Sequence, residues 1–163
     1  SFLRNPGRTG AVAPSSRYLA RLLTGRLDGL GPGDVVVEFG PGTGPVTEAS
    51  LERLPEGVGY LGIEISPEFP RLLTRAHDAA QRRISGLPPA SLPKATQQAV
   101  VGGLEQGLAQ NGEFRTFQYV HAFSLPSARR CRALMAERFP HWRRLGPVVR
   151  NIPPAYVLEY LRN

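Results

Sequence analysis

The chain is poor in sulfur and short of acid. It holds one cysteine, Cys131, and one methionine. No intramolecular disulfide can form, which excludes a small cross-linked secreted scaffold and fits a reducing compartment. Thirteen acidic residues stand against 20 basic ones, with arginine far outnumbering lysine. No apolar run approaches the roughly 20 residues that a bilayer-spanning helix needs. No cleavable leader is visible. The first residue is Ser1 rather than Met, so the expectation is an N-terminal segment preceding this sequence. There are no internal repeats or low-complexity tracts. No cluster has metal-ligand spacing, and His77, His121 and His141 lie far apart in sequence, so no metal is expected.

A length of 163 residues suits a single domain, 1–163, and a hydrophobic content of 41% allows a real core. The formal net charge of +7 favours an anionic partner: nucleic acid, an anionic membrane surface or phosphorylated head groups. Charge alone does not separate these.

The most informative stretch is 35–48, Val-Val-Val-Glu-Phe-Gly-Pro-Gly-Thr-Gly-Pro-Val-Thr-Glu. An apolar strand enters a tight glycine turn. About 20 residues on, a second strand ends in Gly62-Ile63-Glu64-Ile65, the offset at which an acid accepts hydrogen bonds from ribose hydroxyls. The two features together point to a nucleoside cofactor. The dinucleotide fingerprint does not fit: the third glycine, Gly44, arrives early, and Pro45 lacks an N–H that a pyrophosphate would use. The pattern resembles instead the first motif of class I S-adenosylmethionine-dependent methyltransferases, whose glycine loop faces the methionine and ribose of the cofactor.

Residues 1–28 read as a basic, turn-rich segment followed by a helix that Ser15 or Ser16 caps, ending near Thr24. A turn at 29–34 leads to a buried parallel strand, Val35–Phe39. A helix carrying Val46, Ala49 and Leu51 follows the glycine loop, then a strand over 59–65. Pro67 opens the next helix. Residues 84–89, Ile-Ser-Gly-Leu-Pro-Pro, look like the tip of a fourth strand. Only 18 residues, 66–83, precede it, where a doubly wound unit needs roughly 35–40. Residues 76–83 also lack the apolar run expected before a strand tip. Either the fold lacks its third strand, or the sequence joins two ordered pieces across a break between about 74 and 84; we expect the break. Beyond it come a helix over 94–109 ended by Asn111-Gly112, a strand over 113–120, and a helix over 126–139 with Ala128, Cys131, Leu134, Met135 and Phe139 on one stripe. Strands over 146–150 and 155–160 form a hairpin around Asn151-Ile152-Pro153-Pro154. The expected fold is α/β, Rossmann-like, with a mostly parallel sheet, a C-terminal antiparallel hairpin and a missing third-strand region.

Six segments spread over nearly the whole chain carry a closer resemblance: Leu3-Arg4-Asn5-Pro6, Gly10-Ala11-Val12-Ala13-Pro14-Ser15-Ser16, Val37-Glu38-Phe39-Gly40-Pro41-Gly42-Thr43-Gly44, Ile84-Ser85-Gly86-Leu87-Pro88, Phe114-Arg115-Thr116-Phe117-Gln118-Tyr119-Val120-His121 and Arg150-Asn151-Ile152-Pro153-Pro154-Ala155. The chain resembles bacterial phospholipid N-methyltransferases of the rRNA-dimethylase-like type. The resemblance implies methylation of the phosphatidylethanolamine amine, up to three times, toward phosphatidylcholine, with S-adenosylmethionine as cofactor. It implies a cytoplasmic protein, peripheral on the inner face of the cytoplasmic membrane. Such proteins attach to anionic lipid typically through an amphipathic N-terminal helix, which is not in this sequence. No nucleic-acid partner is implied.

Cofactor-binding candidates are Ser15, Ser16, Glu38, Gly40, Gly42, Gly44, Glu64, Ile65, Ser85 and Gly86. The glycines line the methionine and ribose side. Glu38 orients the cofactor amine or stabilises the loop, and Glu64 takes the ribose diol. Ser85-Gly86-Leu87-Pro88 resembles the Asn-Leu-Pro-Tyr loop that aligns the target nitrogen in amino-methylating enzymes. Here Ser85 replaces the amide and Pro89 replaces the aromatic residue that would stack on a base. That difference argues for an aliphatic amine. An ammonium must lose a proton before it can accept a methyl group, and a histidine can relay it near neutral pH. Catalytic candidates are therefore His121 and Tyr119, the latter holding the amine by its ring face. Substrate-binding candidates are Tyr18 as a wall, Leu87 and Pro88, and Arg8 and Arg150 on lipid phosphate. Arg17, Arg129 and Arg130 join these as a membrane-facing set. The competing activities are an rRNA adenine N6-dimethyltransferase, another amine methyltransferase, and a non-catalytic binding module on the same fold.

Overall fold

The computed structural model describes residues 14–63, 80–85 and 89–163. Helix α1 (Arg17–Leu23) starts where Ser16, in extended backbone, turns its hydroxyl to accept from the Leu19 N–H. It ends at Thr24, and Leu19, Ala20 and Leu23 face inward. Strand β1 (Val35–Phe39) is followed by the glycine loop and helix α2 (Pro45–Leu51), in which proline occupies a first-turn position that needs no N–H. The inward face of α2 is Val46, Thr47 and Ser50, while Leu51 points to solvent. Strand β2 (Gly59–Ile63) pairs parallel with β1, with Glu38 opposite Gly62.

Strand β3 (Ala80–Ser85) pairs parallel with β1 on one side and β4 on the other. The sequence places a strand tip at 84–89, and a strand does run into it, although residues 76–83 lack the apolar run expected there. Parallel neighbours on both sides satisfy the backbone of Ala80–Ser85, and that pairing outweighs the missing apolar run. From Ala80 the chain runs on as one strand. The connection from β2, with the helix predicted at Pro67 and most of the break predicted between about 74 and 84, lies outside the described residues.

Helix α3 (Lys94–Gly107) ends two residues before the predicted limit, and β4 (Leu108–Tyr119) begins five residues before its predicted start. The Asn111-Gly112 pair predicted to stop the helix lies inside β4. The register jumps there: Ala80 faces Leu108, yet Arg82 faces Glu113. Asn111 adopts φ 59°, and a Cβ on Gly112 would meet the Ala109 carbonyl oxygen at 2.6 Å. The pair therefore forms a bulge within the strand rather than the helix cap that its residue types suggest. Helix α4 (Pro126–Arg138) follows, then β5 (His141–Val148) and β6 (Ala155–Leu161), an antiparallel pair. β5 begins five residues before its predicted start. Its residues 141–144 are all exposed, so no alternation marks them as strand.

Among the described residues the sheet order is β2-β1-β3-β4-β6-β5. On one face, α1 and α2 pack through Leu19, Leu23 and Val46 onto Val36, Ile84, Phe117 and Val157. On the other, α3 and α4 pack through Val101, Leu104, Met135 and Phe139 onto Phe114, Leu158 and Tyr160. A charge row, buried at Arg115 and Glu159 and exposed at Arg143, crosses the antiparallel half. Arg115 sits opposite Glu159, which sits opposite Arg143. Arg115 Nη2 donates to Glu159 at 2.5 Å, Arg143 Nε donates to the other Glu159 oxygen at 2.5 Å, and Arg115 also pairs with Glu113. The remaining Arg115 nitrogen donates to the Leu22 carbonyl at 2.9 Å, which ties α1 to the sheet.

Candidate active site

β1 is the strand at which the order reverses: β2 lies to one side and β3 to the other. Ligands of open α/β sheets bind at the carboxyl ends of strands beside such a switch point. The glycine loop sits there. Gly40, Gly42 and Gly44 have φ of 67°, 56° and 91°, a region that L side chains rarely enter. Gly40 donates its N–H to the Ile63 carbonyl at 2.8 Å, locking the loop to β2. A Cβ on Gly44 would meet nothing within 4 Å, and one on Gly42 only the Gly40 oxygen at 3.9 Å. Backbone conformation therefore demands the glycines, and at Gly42 and Gly44 no described atom crowds the position of a side chain.

Beneath the loop lies Glu38, fully buried. One of its oxygens accepts from Thr47 Oγ1 at 2.9 Å and from the Tyr60 hydroxyl. The acid thus clamps the start of α2 to β2. Burial first, then the Glu38 charge and its hydrogen bond, push the Tyr60 phenol far above its ordinary value. The sequence offered loop stabilisation and cofactor orientation as alternatives for Glu38, and these bonds belong to the first.

At the carboxyl end of β4, Tyr119 is buried and His121 exposed. Their rings stack with centroids 5.6 Å apart and planes 12° apart. Phe117 and Tyr119 meet in a T-shaped contact, with ring centroids 5.4 Å apart. One face of Tyr119 is thus taken by His121, which makes the imidazole the accessible member of the pair. Arg132 fixes the stretch that carries it. Its guanidinium donates to Gln118 Oε1 at 2.6 Å and to the Phe123 carbonyl at 2.8 Å, and lies 3.8 Å from the Phe123 ring centroid.

Tyr18 pairs with Arg150, 132 positions away. Arg150 Nη1 donates to the Tyr18 hydroxyl at 3.0 Å and Arg17 Nη2 donates to the same oxygen at 2.9 Å. Both guanidinium groups also lie 5.0 Å from the ring centroid. These bonds, with the Arg17 charge, hold the Tyr18 phenol below its ordinary value. Asn151 makes the pairing possible. It is 2% exposed, its Oδ1 accepts from the Ser16 N–H at 2.8 Å, and its Nδ2 donates to the Pro153 carbonyl at 2.6 Å. Val120 N–H donates to Pro154 O at 2.9 Å, so the same turn also touches the end of β4. The sequence marked Asn151 as a turn residue within one of the resemblance segments, with no site role. Its role depends on a partner 135 positions away, for which no local signal exists.

Ser16 spends its hydroxyl on the helix cap, and Ser15 is half-buried beside it. Ser85 ends β3 opposite Phe39, between the glycine loop and β4. Arg8, Glu64, Ile65, Gly86, Leu87 and Pro88 lie outside the described residues. Arg129 and Arg130 are exposed on α4. Among the described residues no group of three or more His, Cys, Asp and Glu is placed to hold a metal, and no helix is long and apolar enough to cross a membrane. Three left-handed glycines thus place a tight backbone turn at the switch point, where open α/β sheets bind their ligands.

No known protein-family profile matches the chain. It is similar to an ornithine lipid N-methyltransferase of Singulisphaera acidiphila, with 28% identity over 141 residues, covering 69% of this chain and 71% of that protein. Among solved structures it is similar to a precorrin-6y C5,15-methyltransferase of Geobacter metallireducens, with TM-score 0.64 and 10% identity over 88% of this chain and 87% of the other. It is also similar to the Aeropyrum pernix fibrillarin with natively bound S-adenosylmethionine, with TM-score 0.60 and 11% identity over 88% and 75%. A TehB-like S-adenosylmethionine-dependent methyltransferase of Corynebacterium glutamicum follows, with TM-score 0.57 and 12% identity over 86% and 88%. With this sheet order and this glycine loop, the chain has the Rossmann-like fold of class I S-adenosylmethionine-dependent methyltransferases.

Proposed function

We propose that the protein is a single catalytic domain that methylates the amine of a membrane aminolipid: phosphatidylethanolamine and its methylated intermediates, toward phosphatidylcholine, on the inner face of the cytoplasmic membrane. The observation that carries the reading is one sheet edge on which an exposed histidine stands beside the turn that bears Arg150, itself bonded to Tyr18 of α1. A proton acceptor and an anion-binding cation there match the two ends of an amine-bearing phosphate head group. Pro89, which opens a short 3-10 turn after β3, brings no aromatic ring to stack on a nucleobase. The Singulisphaera relative's name supports an amine on a lipid.

When bound, S-adenosylmethionine supplies a methyl whose C–S bond breaks as the amine C–N bond forms. The chain's own part is alignment and proton removal. A ring nitrogen of His121 takes the proton from the ammonium and passes it to solvent, to which the imidazole is open. Arg150 and Arg17 hold the head-group anion. Tyr119 supports the His121 ring from its buried side.

The relative's name favours a second reading, in which the amine belongs to an ornithine lipid. Radiolabelled S-adenosylmethionine tests both. The protein is offered phosphatidylethanolamine vesicles containing an anionic lipid, ornithine lipid in the same vesicles, and unmodified ribosomal RNA in separate tubes. Label in phosphatidylethanolamine supports the proposal, and label confined to ornithine lipid moves it to the second reading. Label in RNA alone refutes both.

A further inference from the structure

We propose that the turn joining β5 to β6, residues 149–154, is a docking tip that sets the carboxyl edge of the sheet against an anionic lipid bilayer. The inference rests on the lipid reading above and adds to it the element that meets the membrane. Val149 is 71% exposed and Ile152 81%, the highest values among the exposed large hydrophobic residues described. Single exposed aliphatic residues are common on any protein. These two share one turn, and Arg150 stands between them.

The turn is held from below. Asn151 lies buried between the two tips, with its side chain bonded to Ser16 and Pro153 and its N–H donating to the Val148 carbonyl at 3.3 Å. The aliphatic groups are therefore presented outward by a fixed base. At the foot of the tip, Arg150 and Arg17 both donate to the Tyr18 hydroxyl. Among the described residues no carboxylate pairs with either arginine. Two guanidinium groups converging on one oxygen are arranged as they would be around a lipid phosphate oxygen. Aliphatic tips with cations set just behind them match the boundary between acyl chains and head groups. The formal charge of +7 complements an anionic leaflet. A single-stranded nucleic acid would call for open aromatic platforms, and the one ring at this foot lies against both guanidinium groups. Because Val120 donates to Pro154, a docked tip brings His121 to the head-group layer.

Flotation with phosphatidylcholine vesicles, with and without phosphatidylglycerol, tests the tip. Neither lipid carries a primary amine to methylate, so docking is read apart from substrate. The native protein is expected to float with the phosphatidylglycerol vesicles. The double variant Val149→Ser/Ile152→Ser should lose about tenfold or more in vesicle affinity, from two aliphatic side chains each contributing about 25 cal/mol per Å² buried. Its thermal midpoint and its affinity for S-adenosylhomocysteine should not change, which shows that the variant folds. A variant that floats like the native protein overturns the proposal. So does native protein that binds ribosomal RNA but no vesicle, or a native dimer that the substitutions dissociate, since the tip would then serve another partner. Docking with no lipid methylated overturns the substrate reading alone. Lipid methylated equally by both proteins overturns the docking tip alone.

Discussion

Replacing Glu38 with alanine separates a scaffold role from a cofactor role. The carboxylate accepts from Thr47 and Tyr60 in a buried setting. Truncation strands both hydroxyls, at about 1–3 kcal/mol each, or about 2–6 kcal/mol together. For a chain of this length each kcal/mol moves the thermal midpoint by about 2–4 °C. The Glu38→Ala midpoint should therefore fall by about 4–24 °C in a calorimetric scan. Glu38→Gln keeps the shape and one acceptor oxygen, and should cost about 1–2 kcal/mol. Tyr60 adds a pH signature. Its phenol is raised above the ordinary 10.0, first by burial and then by the Glu38 charge. The stability this contributes is complete below pH 10.0 and is lost as pH rises beyond it. Glu38→Gln removes the charge, so Tyr60 should ionise at lower pH than in the native protein. The decisive comparison is isothermal titration with S-adenosylhomocysteine, with Glu38→Gln well below its midpoint. Affinity should fall by less than about tenfold, or 1.4 kcal/mol. An unchanged midpoint with affinity down more than about a hundredfold would refute the scaffold argument and make Glu38 a cofactor ligand.

Arg115→Met leaves Glu113 and half of Glu159 uncompensated in the core, so urea unfolding should show a loss of about 3–5 kcal/mol. Burial tends to raise the Glu159 carboxyl, but the Arg143 hydrogen bond and the Arg115 charge outweigh it and hold the group below its ordinary value. The stability this gives is present above pH 4.5 and is lost as pH falls through the lower folded value, so Arg115→Met should move the acid-unfolding midpoint up. In an ultraviolet titration, one phenol absent from Tyr18→Phe should ionise below the ordinary 10.0, and Arg150→Gln should shift that step upward. Gly44→Ala should cost roughly 1–2 kcal/mol for a left-handed alanine, measured by chemical denaturation. Its φ of 91° and open surroundings make backbone strain, not collision, the cause.

Much of the fold could be read in the residues. The continuous Val-Val-Val run, the glycine turn behind it, Ser16 as a cap and the stripe of α4 are local patterns, and each corresponds to its element. Elements that owe their form to neighbours could not be read this way. β3 exists because β1 and β4 flank it, and the first half of β5 because β6 offers an edge and Glu159 a partner for Arg143. Asn111-Gly112 carried a turn signal in either context, and the bulge was settled by the register against β3. The site divides in the same way. The sequence by itself determined the glycine loop and the place of Tyr119 and His121 at a strand end, because backbone conformation and strand-end position follow from residue type and local order. Only the tertiary structure decided that Glu38 bonds to Thr47 and Tyr60, that His121 covers a face of Tyr119, and that Arg150 reaches Tyr18 through Asn151. A hydrogen bond between residues 132 positions apart leaves no trace in either neighbourhood. It forms because the sheet brings both ends of the chain to one edge.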